Sequence, residues 1–196
     1  MLRKYRNTVL ALSLVLLSAC TAIEKSPYPA DWPPVGLAAK DCAVVNGIYS
    51  NAAERQTYQH PHNDVMLALA LLPPGEPVTQ TARVALEYGD EGCLLVHALA
   101  EDGAVLIERR YRMGEGFVRC EEGVLILNPA KMPERVSAPD NPLVGISSSR
   151  IELYKAQDGS LIMRESGSAT GMAFLLVPMH MQSEEWYLFR LWRDNK

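Results

Sequence analysis

The sequence predicts a mainly β protein: an antiparallel meander of about eight to nine strands that forms a barrel or a curled sheet, with one short helix. Two observations support this class. From residue 81 onward, short apolar and β-branched runs alternate with glycine turns. Asp102-Gly103 and Asp158-Gly159 lie between such runs, and Asp-Gly is a strong hairpin signal. Turns this short make neighbouring strands antiparallel, and a curled meander limits exposed edges; a two-sheet sandwich is the alternative.

The strand pattern begins around Gly47-Ile48-Tyr49, where the residues favour extended structure. Residues 124–127 and 174–177 are apolar on both faces, so these strands are predicted to be covered on both sides. The small residues from Gly167 to Gly171 are interpreted as a hairpin turn. The strands that follow Pro77 are predicted near residues 81–88, 93–99, 104–112, 117–121, 124–128, 149–156, 160–166, 171–177 and 185–193.

One short helix is predicted over residues 65–72. Asn63 or Asp64 can cap its amino end, and Pro73-Pro74-Gly75 can stop it. Because its body is apolar on every side, the helix is expected to be buried.

The first 19 residues have the three-part layout of a secretory signal peptide. A basic start at Arg3, Lys4 and Arg6 precedes the apolar run Val9 to Leu17, far shorter than the roughly 20 residues that a membrane-spanning helix needs. The stretch Leu17-Ser18-Ala19-Cys20 then resembles the lipobox of bacterial lipoproteins. This resemblance implies that Cys20 is acylated and becomes the first residue of the mature protein.

Residues 20–41 are interpreted as a proline-rich tether that precedes a single β domain over residues 42–196. Trp32 is the residue of the tether that is expected to pack on the domain, because a large aromatic ring gains most from burial. In enteric lipoproteins an aspartate directly after the cysteine retains the protein in the inner membrane. By that resemblance Thr21 favours the outer membrane, with the domain facing the periplasm.

The charge of the body limits its partners. Removal of residues 1–19 moves the formal net charge from −4 to −7. An acidic body argues against nucleic acid and against docking on anionic lipid through a basic patch. Membrane attachment is therefore assigned to the lipid at Cys20, and no cofactor is implied.

Three cysteines remain once Cys20 is acylated, and an oxidising periplasm favours one pair. If the strands form consecutive hairpins, Cys93 and Cys120 lie two strand spacings apart, about 10 Å, beyond the roughly 7 Å that a disulfide allows. Cys42, at the entrance to the first strand, has no such constraint. The predicted disulfide therefore joins Cys42 and Cys120, and Cys93 is left as a buried thiol.

Two features of the body are similar to lipocalins. Gly47-Ile48-Tyr49 corresponds to their Gly-x-Trp strand, with tyrosine in place of tryptophan, and Arg190 corresponds to their closing arginine. The body also resembles uncharacterised lipoproteins of Gram-negative bacteria in which a cysteine precedes a Gly-x-Tyr strand. Neither resemblance implies a ligand site or a reaction.

The sequence assigns neither a metal site nor a catalytic residue. The stretch His60-Pro61-His62-Asn63-Asp64 resembles the start of the metallo-β-lactamase zinc motif, but Val65 stands where that motif continues with histidine. The stretch Gly167 to Gly171 is compared with the Gly-x-Ser-x-Gly motif of serine hydrolases, but Ala169 stands where the nucleophilic serine should be.

A charged cluster in the strand near 104–112 contains Glu108, Arg109, Arg110 and Arg112. It is interpreted as a set of cross-strand ion pairs on a wet sheet face rather than an anion site.

Two classes of function follow. The preferred one is a membrane-anchored, non-enzymatic lipoprotein of the cell envelope whose periplasmic domain binds another envelope protein or component. The alternative is a small β-barrel module with a cavity of about 300 Å³ or more for an apolar ligand. That cavity would be lined by Leu67, Leu71, Phe174, Phe189 and Trp192.

Overall fold

The computed structural model describes residues 20–36, 41–57, 65–72, 78–89, 92–112, 118–128, 143–173 and 177–193. Its one α-helix, α1, spans Leu67–Leu71, and short 3-10 helices span Cys42–Val45 and Val78–Gln80. The strands are β1 (Cys20–Lys25), β2 (Gly47–Ser50), β3 (Arg55–Gln56), β4 (Arg83–Tyr88), β5 (Cys93–Leu99), β6 (Val105–Arg112), β7 (Val118–Glu121), β8 (Val124–Leu127), β9 (Leu143–Lys155), β10 (Leu161–Ala173) and β11 (Val177–Phe189).

These strands form two sheets, which confirms the predicted mainly β class. The larger sheet has seven strands in the order β1-β11-β10-β9-β8-β7, with β3 also paired to β11. The smaller sheet has four strands in the order β2-β4-β5-β6. The described strands do not close into a barrel, and they are consistent with the predicted curled sheet.

The chain divides into two compact units. The main unit comprises residues 25–130, 149–166 and 184–196. The second unit, here called the strand-end unit, comprises residues 1–24, 131–148 and 167–183. The described residues of the strand-end unit are the parts of β1, β9, β10 and β11 that fall within these ranges.

One hydrophobic core fills the main unit, and both sheets contribute to it. Alternate residues of each strand point inward, as the two-residue period of a strand requires. In β9 and β10 the inward residues have odd numbers, such as Leu153 and Met163, and both are fully buried. The smaller sheet contributes Val84, Leu86, Leu94, Val96, Ala98 and Ile107.

The opposite face of β9–β11 is covered by the segment that follows β1. Trp32 is 7% exposed, and Trp186 Nε1 donates to the Ser26 carbonyl oxygen at 2.9 Å. The ring centroids of Tyr28 and Trp186 lie 5.1 Å apart. Farther along the segment, Val35 forms an isolated antiparallel bridge with Ala156. The predicted packing of Trp32 is confirmed, but residues 26–36 lie on the body rather than acting as a free tether, because the aromatic side chains gain burial there.

Strands β9 and β10 are longer than predicted. Residues 167–171, interpreted as a turn, continue β10, and β9 already begins at Leu143. The glycines here permit close approach of neighbouring strands instead of a turn. A Cβ atom on Gly145 would lie 2.4 Å from the Thr170 carbonyl oxygen, and one on Gly167 would lie 2.8 Å from Ser183 Oγ.

Helix α1 is shorter than predicted and has an unexpected cap. The backbone N–H of Ala68 donates to Asn51 Oδ1 at 2.8 Å, and Asn51 Nδ2 donates to the Thr81 carbonyl oxygen at 2.8 Å. The predicted caps Asn63 and Asp64 lie outside the described residues. Leu67 and Leu71 are buried, whereas Leu69 is exposed. Within the described ranges no helix is long and apolar enough to cross a membrane.

The predicted disulfide is present in the structure. Cys42 and Cys120 are bonded, with Cα atoms 5.9 Å apart, and the bond closes a sequence separation of 78 residues. Cys93 is the free thiol among the described cysteines outside the disulfide, but it is half-buried rather than fully buried.

The hairpin assumed between the strand that follows Cys93 and the strand of Cys120 was wrong. Cys93 pairs with Arg112 in the smaller sheet, whereas Cys120 pairs with Leu125 in the larger one. Strands β6 and β7 therefore do not form the hairpin that was assumed. Cys93 and Cys120 are separated because they lie in different sheets, not because a third strand lies between them.

We expect Cys42→Ser to lower the free energy of unfolding by up to about 4–5 kcal/mol, because an open chain of this length gains conformational entropy on unfolding. Cys93→Ser is the matched control, and we expect it to change stability by less than about 1 kcal/mol. Urea unfolding of oxidised protein measures both. A Cys93→Ser loss as large as that of Cys42→Ser would contradict the assigned pairing.

Candidate functional site

A cleft of about 1110 Å³ lies on the main unit, and we call it the Arg190 cleft. The residues that follow β11, the Asp158–Ser160 turn and the start of β3 all contribute to it. Its polar walls come from Asp31, Glu54, Arg55, Asp158, Arg190 and Arg193, and Trp32 and Trp192 add aromatic surface.

Ion pairs organise the charged groups of the Arg190 cleft. Arg190 binds Glu54 through two bonds, Nε to Oε2 at 2.9 Å and Nη2 to Oε1 at 2.5 Å. Arg55 Nη1 lies 3.4 Å from Asp31 Oδ2. The hydrogen bond from Arg190 to Glu54 raises the pKa of Arg190. Two arginines thus stand fixed beside two carboxylates, an arrangement that suits a polar ligand with groups of both signs.

The hydroxyl groups of the Arg190 cleft are engaged in local structure. Ser50 Oγ donates to the Ala52 carbonyl oxygen at 3.1 Å, and Ser160 Oγ donates to Asp158 Oδ2 at 3.0 Å. Among the described residues, neither serine has a histidine as its hydrogen-bond partner.

The structure brings together only part of the predicted apolar cavity. Leu67, Leu71 and Phe189 belong to the packed core of the main unit, with exposures of 0%, 2% and 0%. Trp192 does not join them: it is 47% exposed and lines the Arg190 cleft, with Arg83 Cζ 4.6 Å from its ring centroid. Phe174 lies outside the described residues.

The side chains of the two lipocalin-like positions, Tyr49 and Arg190, do not meet, although their backbones are neighbours: Ser50 N–H donates to the Arg190 carbonyl oxygen at 2.9 Å. Arg190 pairs with Glu54, whereas the cation over the Tyr49 ring is Lys155, with Nζ 4.8 Å from the centroid. Lys155 Nζ donates to Tyr49 Oη at 2.7 Å, and Tyr49 Oη donates to the Val45 carbonyl oxygen at 2.6 Å. Burial raises the pKa of Tyr49 and lowers the pKa of Lys155. These bonds hold the start of β2 against the end of β9.

A charge network lies on the face of the larger sheet that the Tyr28–Trp32 segment covers. Glu152, 7% exposed, binds Arg150 Nη2 at 2.7 Å and Arg164 Nη1 at 3.0 Å. Arg164 also binds Glu184 at 2.7 Å. Tyr154 donates to Glu152 at 2.6 Å, and burial followed by this bond raises the pKa of Tyr154 to about 12. Because each carboxylate faces an arginine, the charges of this network pair with one another rather than forming an open site.

Two carboxyl groups occupy the inward side of β10 and β11. Glu165 is half-buried, and its pKa is raised first by burial and then by the negative charge of Glu185. Tyr187 donates a hydrogen bond to Glu185. None of the described residues forms a hydrogen bond with the Glu165 carboxyl, so the folded state favours its ionised form less than the unfolded chain does.

The arginines of β6 do not form the predicted cross-strand ion pairs. Arg109, Arg110 and Arg112 lie opposite Val96, Leu95 and Cys93 on β5. All three are exposed, and none forms a salt bridge with any of the described residues. The prediction failed because it placed acidic residues across the strand, where the register places apolar ones.

The remaining sequence candidates add no site. Residues 58–64, which include His60 and His62, lie outside the described residues. Among the described residues, no group of three or more histidine, cysteine, aspartate or glutamate residues could hold a metal ion.

No family model matches this chain, and no curated protein or solved structure is significantly similar to it. The proposal below therefore depends on the residues and contacts described above.

We expect Glu165→Gln to raise the free energy of unfolding at pH 7. A carboxyl with a raised folded-state pKa contributes stability below its unfolded pKa, and this contribution is lost as pH rises through the folded pKa. The increase in the free energy of unfolding caused by Glu165→Gln should therefore vanish near pH 4. Denaturant unfolding at both pH values measures the difference, with the exposed Glu101→Gln as control. Equal effects of Glu165→Gln at both pH values would contradict this assignment.

Proposed function

We propose that this protein is a lipid-anchored, non-enzymatic lipoprotein of the bacterial cell envelope, held in the outer membrane through acylated Cys20. Its β body faces the periplasm and binds a polar envelope component at the Arg190 cleft. The observation that carries the anchoring is the order of basic start, apolar run and Leu17-Ser18-Ala19-Cys20.

The structure around Cys20 supports an anchor at this residue. Strand β1 begins at Cys20 and pairs with β11 in the larger sheet. In the strand-end unit, which contains Cys20, the side chains of Ile23, Ile146, Met172 and Met181 are exposed. Apolar side chains close to acyl chains would gain further burial at a lipid surface.

The Cys42–Cys120 disulfide supports export. Structural disulfides persist in oxidising compartments such as the periplasm and are rare in the cytosol. Thr21, in place of the aspartate that retains enteric lipoproteins in the inner membrane, supports the outer membrane.

The Arg190 cleft supports a binding role. Fixed charges of both signs lie beside the exposed face of Trp192. Aromatic and arginine side chains dominate recognition energetics at protein surfaces. The packing of Leu67, Leu71 and Phe189 into the core gives less support to an interior apolar ligand.

We expect Cys20→Ser to abolish acylation and the partition of the protein into detergent. The acyl chains contribute about 0.8 kcal/mol per buried methylene, and serine cannot form the thioether. Cys93→Ser is the matched control and should partition like the wild type. Intact mass and phase partition of membrane-extracted protein measure both. A wild type without acyl mass, or a Cys20→Ser variant that remains in the detergent phase, would contradict the anchor.

We expect native mass spectrometry of the detergent-extracted protein to show a bound species that Trp192→Ala removes, because the exposed indole supplies the aromatic wall of the Arg190 cleft. Met181→Ala is the control, since Met181 is 41% exposed and lies in the other unit. A bound species that survives Trp192→Ala would place binding elsewhere.

A further inference from the structure

Strand β6 is an edge of the smaller sheet. At the other edge, the chain after β11 pairs with β2 through the Tyr49–Leu191 bridge and the bond from Trp192 N–H to the Ile48 carbonyl oxygen at 2.7 Å. Strand β6 pairs with β5 on one side, and none of the described strands pairs with its other side.

The outward backbone groups of β6 follow from the alternation of antiparallel ladders. Gly89 N–H donates to the Cys93 carbonyl oxygen, so the odd residues of β5 direct their backbone groups toward β4. The even residues of β5 then direct theirs toward β6, where Leu94 and Val96 face Tyr111 and Arg109. The backbone N–H and carbonyl groups of Glu108, Arg110 and Arg112 therefore point away from the sheet.

The side chains of this edge carry a local positive charge. Arg109, Arg110 and Arg112 are exposed and form no described ion pair, and Glu108 is the acidic residue among them. Arg110 also lines a groove of about 500 Å³. Glu87 lies in the same groove, across Leu95 from Arg110, and offsets part of the charge. The acidic remainder of the body acts only weakly here, because salt screens exposed charges beyond about 8 Å.

Arginines on an edge strand ordinarily prevent pairing with other strands. Here they are of one sign, so they repel a second β6 edge or a basic strand but attract an acidic one. Arg109 points to one face of the sheet and Arg110 and Arg112 to the other, so an added strand would meet positive charge on both faces. None of the described residues bonds to the outward backbone groups of β6, so an added strand can pair with them.

We infer that β6 is a docking edge for an extended acidic segment of a partner protein, which adds to the smaller sheet as a fifth strand. This inference rests on the proposed binding role of the body but names a second surface and the chemistry of its partner. Acidic side chains of the segment pair with Arg109, Arg110 and Arg112, and its backbone bonds to the outward groups of β6.

The test measures the fluorescence anisotropy of a labelled ten-residue peptide of alternating Glu and Val with capped ends. The detergent-extracted wild type should bind it, more weakly as salt rises, and should not bind the Lys–Val counterpart. The triple variant R109Q/R110Q/R112Q should bind about tenfold more weakly, because each exposed ion pair contributes up to about 1 kcal/mol. The triple variant K25Q/R119Q/K196Q makes the same change in net charge at residues outside β6 and should bind like the wild type.

A second pair of variants tests strand addition directly. Arg110→Pro removes an outward N–H that is not part of the β5 ladder, and Arg110→Ala removes the same charge but keeps the N–H. The proline variant should bind about fivefold more weakly than the alanine variant, the effect of one lost hydrogen bond. This pair decides the question if the triple variant fails to fold, which circular dichroism reports.

Several results would overturn the inference. These are equal binding of the two peptides, equal losses in the two triple variants, and equal affinities of Arg110→Pro and Arg110→Ala. Tighter binding of a labelled ten-nucleotide DNA strand than of the acidic peptide would assign the edge to nucleic acid instead. A dimer that R109Q/R110Q/R112Q abolishes would assign it to a second copy of this chain. Because none of these results depends on Cys20, failure here is distinct from failure of the lipid anchor.

Discussion

The Cys42–Cys120 disulfide is the constraint on which the main unit depends most. It joins Cys42, in the 3-10 helix that precedes β2 of the smaller sheet, to β7 at the edge of the larger sheet. Strand β7 has only four residues and pairs with β8 alone, so the backbone ladder by itself holds it weakly. A covalent link at its centre fixes this edge and the chain entrance together, with Cys42 fully buried among core residues.

The central strands of the larger sheet impose a second requirement, because both of their faces must be covered in the main unit. The core covers one face. On the other face, Ile162 and Leu188 are buried, and a charge network surrounds Glu152. The segment with Tyr28 and Trp32 covers that side, so it belongs to the fold. An acyl chain at Cys20 would then be followed directly by β1 rather than by a long free linker.

Alternation and turn chemistry predicted most of the strands and the disulfide from the sequence. Residues 93–99 match β5, and the Asp158-Gly159 turn lies between β9 and β10 as expected. The glycines at 167 and 171 were misread, because a sequence does not distinguish a glycine that makes a turn from one that admits a neighbouring strand. The assignment of strands to two sheets depends on long-range pairing that no local pattern specifies, so the predicted pairing of the Cys120 strand with β6 was wrong.

The candidate surfaces were harder to predict than the fold. The Arg190 cleft combines residues from four separate parts of the chain. Nothing in the sequence indicates that the side chains of Glu54 and Arg190 form an ion pair. The arginines of β6 were visible in the sequence, but their lack of acidic partners depends on register. Trp192 was assigned to an interior cavity, but it is 47% exposed.

The most direct test of this account is a mass-spectrometric map of all four cysteines in unreduced protein extracted from the membrane. We expect three outcomes: Cys20 at an acylated amino terminus, Cys42 linked to Cys120, and Cys93 open to alkylation. A map with Cys93 in a disulfide and Cys20 unmodified within a longer amino-terminal peptide would contradict both the fold and the proposed anchor.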